Sequence, residues 1–144
     1  MRAREPFNAW SHLLGLILAA AGTAALLGLA DRTSERVAFG VYGTSLILLY
    51  AASTIYHALT VSPSRLRALK TLDHIAIYFL IAGTYTPVAL LTLDDVWGWA
   101  LLGSVWAIAG AGIPFKLRSL DAPVWLSTAT YLALGHLALL AAGP

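Results

Sequence analysis

The chain has 144 residues, nine Lys and Arg against seven Asp and Glu, and a formal net charge of +2. Hydrophobic residues make up 59% and charged residues 11%, against roughly 45–50% and 25% in soluble domains, and the mean hydropathy is +0.76. A core of this size cannot hide that excess, which excludes a soluble enzyme, a disordered tail, a coiled coil and a secreted scaffold; with no cysteine there is neither disulfide nor thiolate metal site, and the small basic surplus excludes a nucleic-acid partner.

What remains is an integral membrane protein, and the sparse charges measure its spans. Apolar stretches predict helices over about 10–30, 37–59, 73–93, 96–115 and 122–143. Each approaches or exceeds the roughly 20 residues that cross a bilayer as a helix. In lipid such stretches must be helical, because an isolated strand would leave its backbone groups unpaired. The fold class is therefore all-α, a polytopic transmembrane helix bundle of five predicted spans in one domain. The first stretch is longer than the core of a cleaved signal, and Glu5, Asn8 and His12 do not suit its flank, so it reads as a retained helix.

Orientation follows from the loops. With the N-terminus inside, Arg2, Arg4, Arg65, Arg67, Lys70, Lys116 and Arg118 face the cytoplasm and only Arg32 and Arg36 lie outside. The positive-inside rule favours this arrangement, and five spans put the C-terminus outside. A multi-pass protein of the cell (inner or plasma) membrane is expected, with membrane lipids as partners. Asp94-Asp95 reads as a tight outer turn, with Trp97 and Trp99 as interfacial anchors. Pro87 and Pro114 are expected to kink or end the third and fourth helices. Gly15-xxx-Ala19 and Gly103-xxx-Ala107 read as ordinary close packing.

The polar residues within these spans carry the chemistry. On this topology Glu5, Asn8, Ser11 and His12 lie at the inner end of helix one, Ser53 and His57 near the inner end of helix two, and Asp73 and His74 in the first turn of helix three. Asn8–His12 and Ser53–His57 are i,i+4 pairs and Glu5–Asn8 is i,i+3, so each set forms one helical stripe. Such groups are costly against lipid and should face the bundle interior or a wet cavity. Imidazole is a common zinc ligand, and a catalytic zinc needs about three protein ligands and an open position for water. His57 is the best single ligand candidate, with Ser53 and Asp73 as partners for that water. Residue chemistry alone leaves blander roles open. Ser53 could bond a carbonyl one turn earlier, Asp73 could cap its helix or act on its dipole, and His12 and His74 could be structural at the interface. His136, deep in helix five, reads as a packing histidine away from the cluster.

These residues resemble a known family. Glu5-xx-Asn8-xxx-His12, AASTIYHAL (51–59) and LDHIAIYFLIAGTYTP (72–87) are similar to the signatures of the bacterial hemolysin III family, within the progestin and adipoQ receptor superfamily. The resemblance runs from about Glu5 to the end of the chain. It implies seven helices, N-terminus inside, and a zinc ion near the cytoplasmic side. The zinc ligands would be the histidine matching His57 and two from an HxxxH motif on a seventh helix, with Ser53 and Asp73 contacting the water. It also implies hydrolysis of lipid amides such as ceramide, or haemolytic activity. The chain matches only the first five helices and contains no HxxxH, and His136 does not replace the missing pair. It therefore reads as truncated relative to the family, or as completed by another chain or as a homo-oligomer.

The expectation is a hemolysin III-like protein with a zinc-dependent lipid amide or ester hydrolase site, incomplete here, built on His57, Ser53 and Asp73 and supported by Glu5, Asn8, His12 and His74. The alternative is a non-enzymatic pore-forming cytolysin or membrane-state sensor.

Overall fold

The computed structural model describes residues 3–93 and 96–137. These residues form five helices in chain order: α1 Pro6–Gly28, α2 Thr33–Ala58, α3 Pro63–Leu91, α4 Val96–Arg118 and α5 Val124–Gly135. The first four are long and apolar enough to cross a membrane. The fifth is a shorter apolar helix that starts at Val124 and ends at Gly135, inside its predicted span of 122–143; residues 138–143 of that span, like the turn at Asp94-Asp95, lie outside the described residues.

Two helices start where proline sits at their first position, with Glu5 and Ser62 as the residues before. Proline suits that place because its missing N–H would be unpaired there anyway and its φ is already helical. This start moves the third helix. Hydropathy places its beginning at residue 73, whereas α3 begins ten residues earlier at Pro63. Its first turns carry Arg65, Arg67 and Lys70, which do not belong in hydrocarbon yet form helix beyond it. Asp73 and His74 thus lie about three turns into the helix, and the helix-capping role open to Asp73 does not apply. Neither Pro87 nor Pro114 ends its helix, since α3 runs on to Leu91 and α4 to Arg118.

Short connections make successive neighbours antiparallel, and small residues set how closely they meet. Gly15 of α1 lies under the Tyr50 ring of α2, Gly43 of α2 faces Thr23 of α1, Gly83 of α3 faces Ser45 of α2, and Gly112 of α4 lies under the Tyr78 ring of α3. A Cβ at Gly112 would come within 2.7 Å of Tyr78, closer than side-chain carbons pack. Gly103, by contrast, has nothing near it, so the Gly103-xxx-Ala107 pair is not a packing motif in this structure. The central helix is α3, with 39% of its span buried against 6% for α1. The core joins Tyr78, Ala82 and Tyr85 of α3 to Val105 and Ala109 of α4 and Leu134 of α5. Large apolar side chains such as Phe7, Trp10, Leu14, Ile17 and Leu18 point outward. This is normal where lipid is the solvent. Trp97 and Trp99 stand exposed at the start of α4, where an interfacial anchor belongs.

Candidate functional site

The start of α1, the end of α2, the start of α3, the end of α4 and the start of α5 share one end of the bundle. Helix registers then decide which polar groups stand level. Gly15 lies opposite Tyr50; three residues back along α1 is His12, and three on along α2 is Ser53. Gly83 lies opposite Ser45; eight residues on along α2 is Ser53, and eight back along α3 is Ile75. At 1.5 Å per residue, Ser53 and Asp73 are within about 3 Å of the same depth.

The closest contacts centre on His57. Its Nδ1 is 2.6 Å from Glu5 Oε2, and the side chain is 15% exposed. A carboxylate only accepts, so Nδ1 carries the proton, and a neutral ring keeps its lone pair on Nε2. Asn8 Nδ2 donates to the same Glu5 oxygen at 3.0 Å, and the Arg4 guanidinium pairs with Oε1. The Asn8 amide above all, with the His57 ring and the Arg4 charge, holds the Glu5 carboxyl below its ordinary pKa, against a smaller opposing effect of burial.

The segment before α1 forms a strap across the end of α2. Arg4 N–H donates to Ala58 O at 3.3 Å and Glu5 N–H to His57 O at 3.0 Å. Arg4 Nη2 donates to Tyr56 O at 2.8 Å, and the guanidinium lies over the Tyr56 ring at 4.6 Å. Arg4 is a component that the sequence does not single out, because a charge before the first span reads as a flanking and orienting residue.

His12 stacks on His57, with ring centroids 5.3 Å apart and planes at 8°, and its Nδ1 donates to Asn8 O at 2.8 Å. A nitrogen lone pair lies in its ring plane, so two stacked, near-parallel imidazoles do not aim at one ion. Ser53 and Asp73 are buried, at 5% and 8% exposure, and neither side chain has a hydrogen-bond partner among the described residues. Ser53 therefore does not bond the carbonyl one turn earlier. Glu5, Asn8, His12 and His57 are brought into contact, and Ser53 and Asp73 are brought to their depth.

His74 stands apart. One residue on from Asp73 is a turn of about 100° around the helix, and its backbone carbonyl accepts the Tyr131 hydroxyl at 3.2 Å. Its Nδ1 is buried without a partner. Gly112 lies opposite Tyr78, so four residues back along α3 and four on along α4 set His74 level with Lys116. Lys116 is expected in a loop, but it lies inside the last turn of α4 at 1% exposure. Its Nζ donates to Ser127 Oγ at 2.6 Å. Tyr78 Oη and Thr130 Oγ1, 2.8 Å apart, continue this α3–α4–α5 network. Nothing in the local sequence marks Lys116 as buried. His136 lies just after α5 rather than within it, exposed, with Nδ1 donating to Leu132 O at 2.7 Å.

No group of three or more His, Asp or Glu side chains that could hold a metal is found among the described residues. His57 fits as one zinc ligand, since a ligating imidazole usually gives its other N–H to a carboxylate. The remaining ligands are not assembled here.

Antiparallel apolar helices with a polar cluster at one end define a multi-pass membrane protein. A family model described as Haemolysin-III related matches residues 1–144, and the chain belongs to that family. It is 41% identical to Hemolysin-3 of Bacillus cereus, over 97% of this chain and 65% of that protein. It is 38% identical to the Hemolysin-3 homolog of Bacillus subtilis, over 97% of this chain and 67% of that protein. The human Monocyte to macrophage differentiation factor is 32% identical over 56% of this chain and 35% of that protein. The chain thus spans about two thirds of the bacterial relatives' length. No solved structure matches it.

Proposed function

We propose that the α1–α2–α3 end of the bundle is part of a zinc-dependent hydrolase site acting on amide or ester bonds of membrane lipids. The site would lie at the cytoplasmic face of the cell membrane, where the basic residues gathered at this end orient it. The observation that carries this reading is one level of the bundle holding the His57 imidazole, its Nδ1 engaged by Glu5, with the buried residues Ser53 and Asp73 at the same depth and without a side-chain hydrogen-bond partner among the described residues. Water and a substrate carbonyl would be the partners of these two side chains.

His57 would hold the metal through Nε2, Ser53 would orient the attacking water, and Asp73 would take its proton. Bound zinc would supply Lewis acidity, polarising the carbonyl and lowering the pKa of water. The other ligands would come from a helix outside these 144 residues, in the same polypeptide or in another copy. The test is metal content by mass spectrometry on protein isolated from its own membrane. Zinc should accompany the wild-type protein and be lost in His57→Ala. Equal zinc, or none, in both removes the metal from the reading.

A further inference from the structure

Resting on the reading of His57 as a ligand, we propose that Glu5 is a positioning residue that fixes the tautomer and aim of the His57 ring. Glu5 is the only side chain with a hydrogen bond to His57 among the described residues. It is itself held at three points. Arg4 pairs with one oxygen, Asn8 donates to the other, and the Glu5 backbone N–H donates to the His57 carbonyl at 3.0 Å. A carboxylate restrained in this way presents a fixed acceptor to Nδ1. The ring can turn about its bonds only by giving up that hydrogen bond and its stacking on His12.

The consequence is chemical. A free imidazole distributes its proton between both nitrogens, whereas a carboxylate at Nδ1 holds the proton there and leaves Nε2 unprotonated. His57 is then ready to donate through Nε2 without a tautomer change or ring flip. Loss of such an outer partner typically weakens metal binding roughly 10- to 100-fold. A strap that merely joined α1 to α2 would leave the position of the ring proton unaffected by removal of the carboxylate.

The experiment uses metal-free, 15N-histidine-labelled protein in lipid nanodiscs, with His57 assigned by its absence in His57→Ala. Spectra are taken at a pH where the shifts no longer move. Wild-type His57 should show a protonated Nδ1 and an unprotonated Nε2. Glu5→Ala should shift it towards protonated Nε2, and Glu5→Asp should restore part of the wild-type pattern. Glu5→Met, which keeps side-chain length without an acceptor, gives the same reading should Glu5→Ala fail to fold. Protonated Nε2 in the wild type, or a pattern unchanged by removing the carboxylate, overturns the role of Glu5. Absence of zinc that depends on His57 overturns the hydrolase reading instead, so the two failures are distinguishable.

Discussion

Gly83→Ala tests the register on which the alignment of Ser53 with Asp73 depends. An added Cβ at Gly83 would stand 2.8 Å from Ser45 Cβ and still closer to Ser45 Oγ. Carbon atoms pack at about 3.5–4.0 Å, so α2 and α3 must part locally by roughly 0.7–1.2 Å. Rotation of Ser45 does not relieve the contact, because its Cβ stays in place, and it would break the Ser45 hydrogen bond to Tyr42 O at 2.7 Å. Overpacking of this kind costs about 1–3 kcal/mol, and the lost hydrogen bond adds about 1 kcal/mol. Equilibrium unfolding in mixed micelles should show Gly83→Ala destabilised by about 2–4 kcal/mol relative to wild type. Gly22 has nothing near its missing side chain, so Gly22→Ala should be neutral or up to about 1 kcal/mol stabilising through helix propensity. Equal stability of Gly83→Ala and Gly22→Ala would refute the close approach of α2 and α3. In the proposed hydrolase, a shift near 1 Å at the reacting groups would lower turnover by up to about 100-fold.

Two further outcomes are expected. Ser127→Ala removes the one hydrogen-bond partner that the buried Lys116 ammonium has among the described residues and should cost about 1.5–3 kcal/mol in the same unfolding assay. Lys116→Met, which removes the charge and keeps the volume, should cost less; the reverse order would contradict the buried pairing. The Glu5 carboxyl titrates below its ordinary pKa of 4.5 because Asn8, His57 and Arg4 favour the charged form. A lowered folded value means that the stabilisation is present above 4.5 and is lost as pH falls through the folded value. Amide protection factors at the strap should therefore fall as pH drops below about 4.5 in wild type and show no such acid step in Glu5→Gln.

Much of this architecture is legible in one dimension. Composition specified lipid as the solvent, and apolar run length specified where helix must form, because a backbone in hydrocarbon has to pair its own polar groups. Charge spacing also placed Glu5, Asn8, His12, Ser53, His57 and Asp73 near one end. Hydropathy was blind to the start of α3, because it measures compatibility with hydrocarbon, whereas Ser62-Pro63 begins a helix that extends beyond it. It also grouped His74 with Asp73, although one residue along a helix is a turn of about 100° and it is His74 that the Tyr78–Gly112 approach sets level with Lys116.

Which side chains meet was decided only in three dimensions. Contact depends on how each helix is rotated about its axis and how closely it approaches the next, and those are set where Gly15, Gly43, Gly83 and Gly112 admit a neighbouring side chain. That rotation puts Glu5 on Nδ1 of His57, stacks His12 beside it, and encloses Lys116 against Ser127. Residue order alone contains the participants, but pairing energies fall off within a few ångströms. The tertiary packing therefore determines the site's geometry.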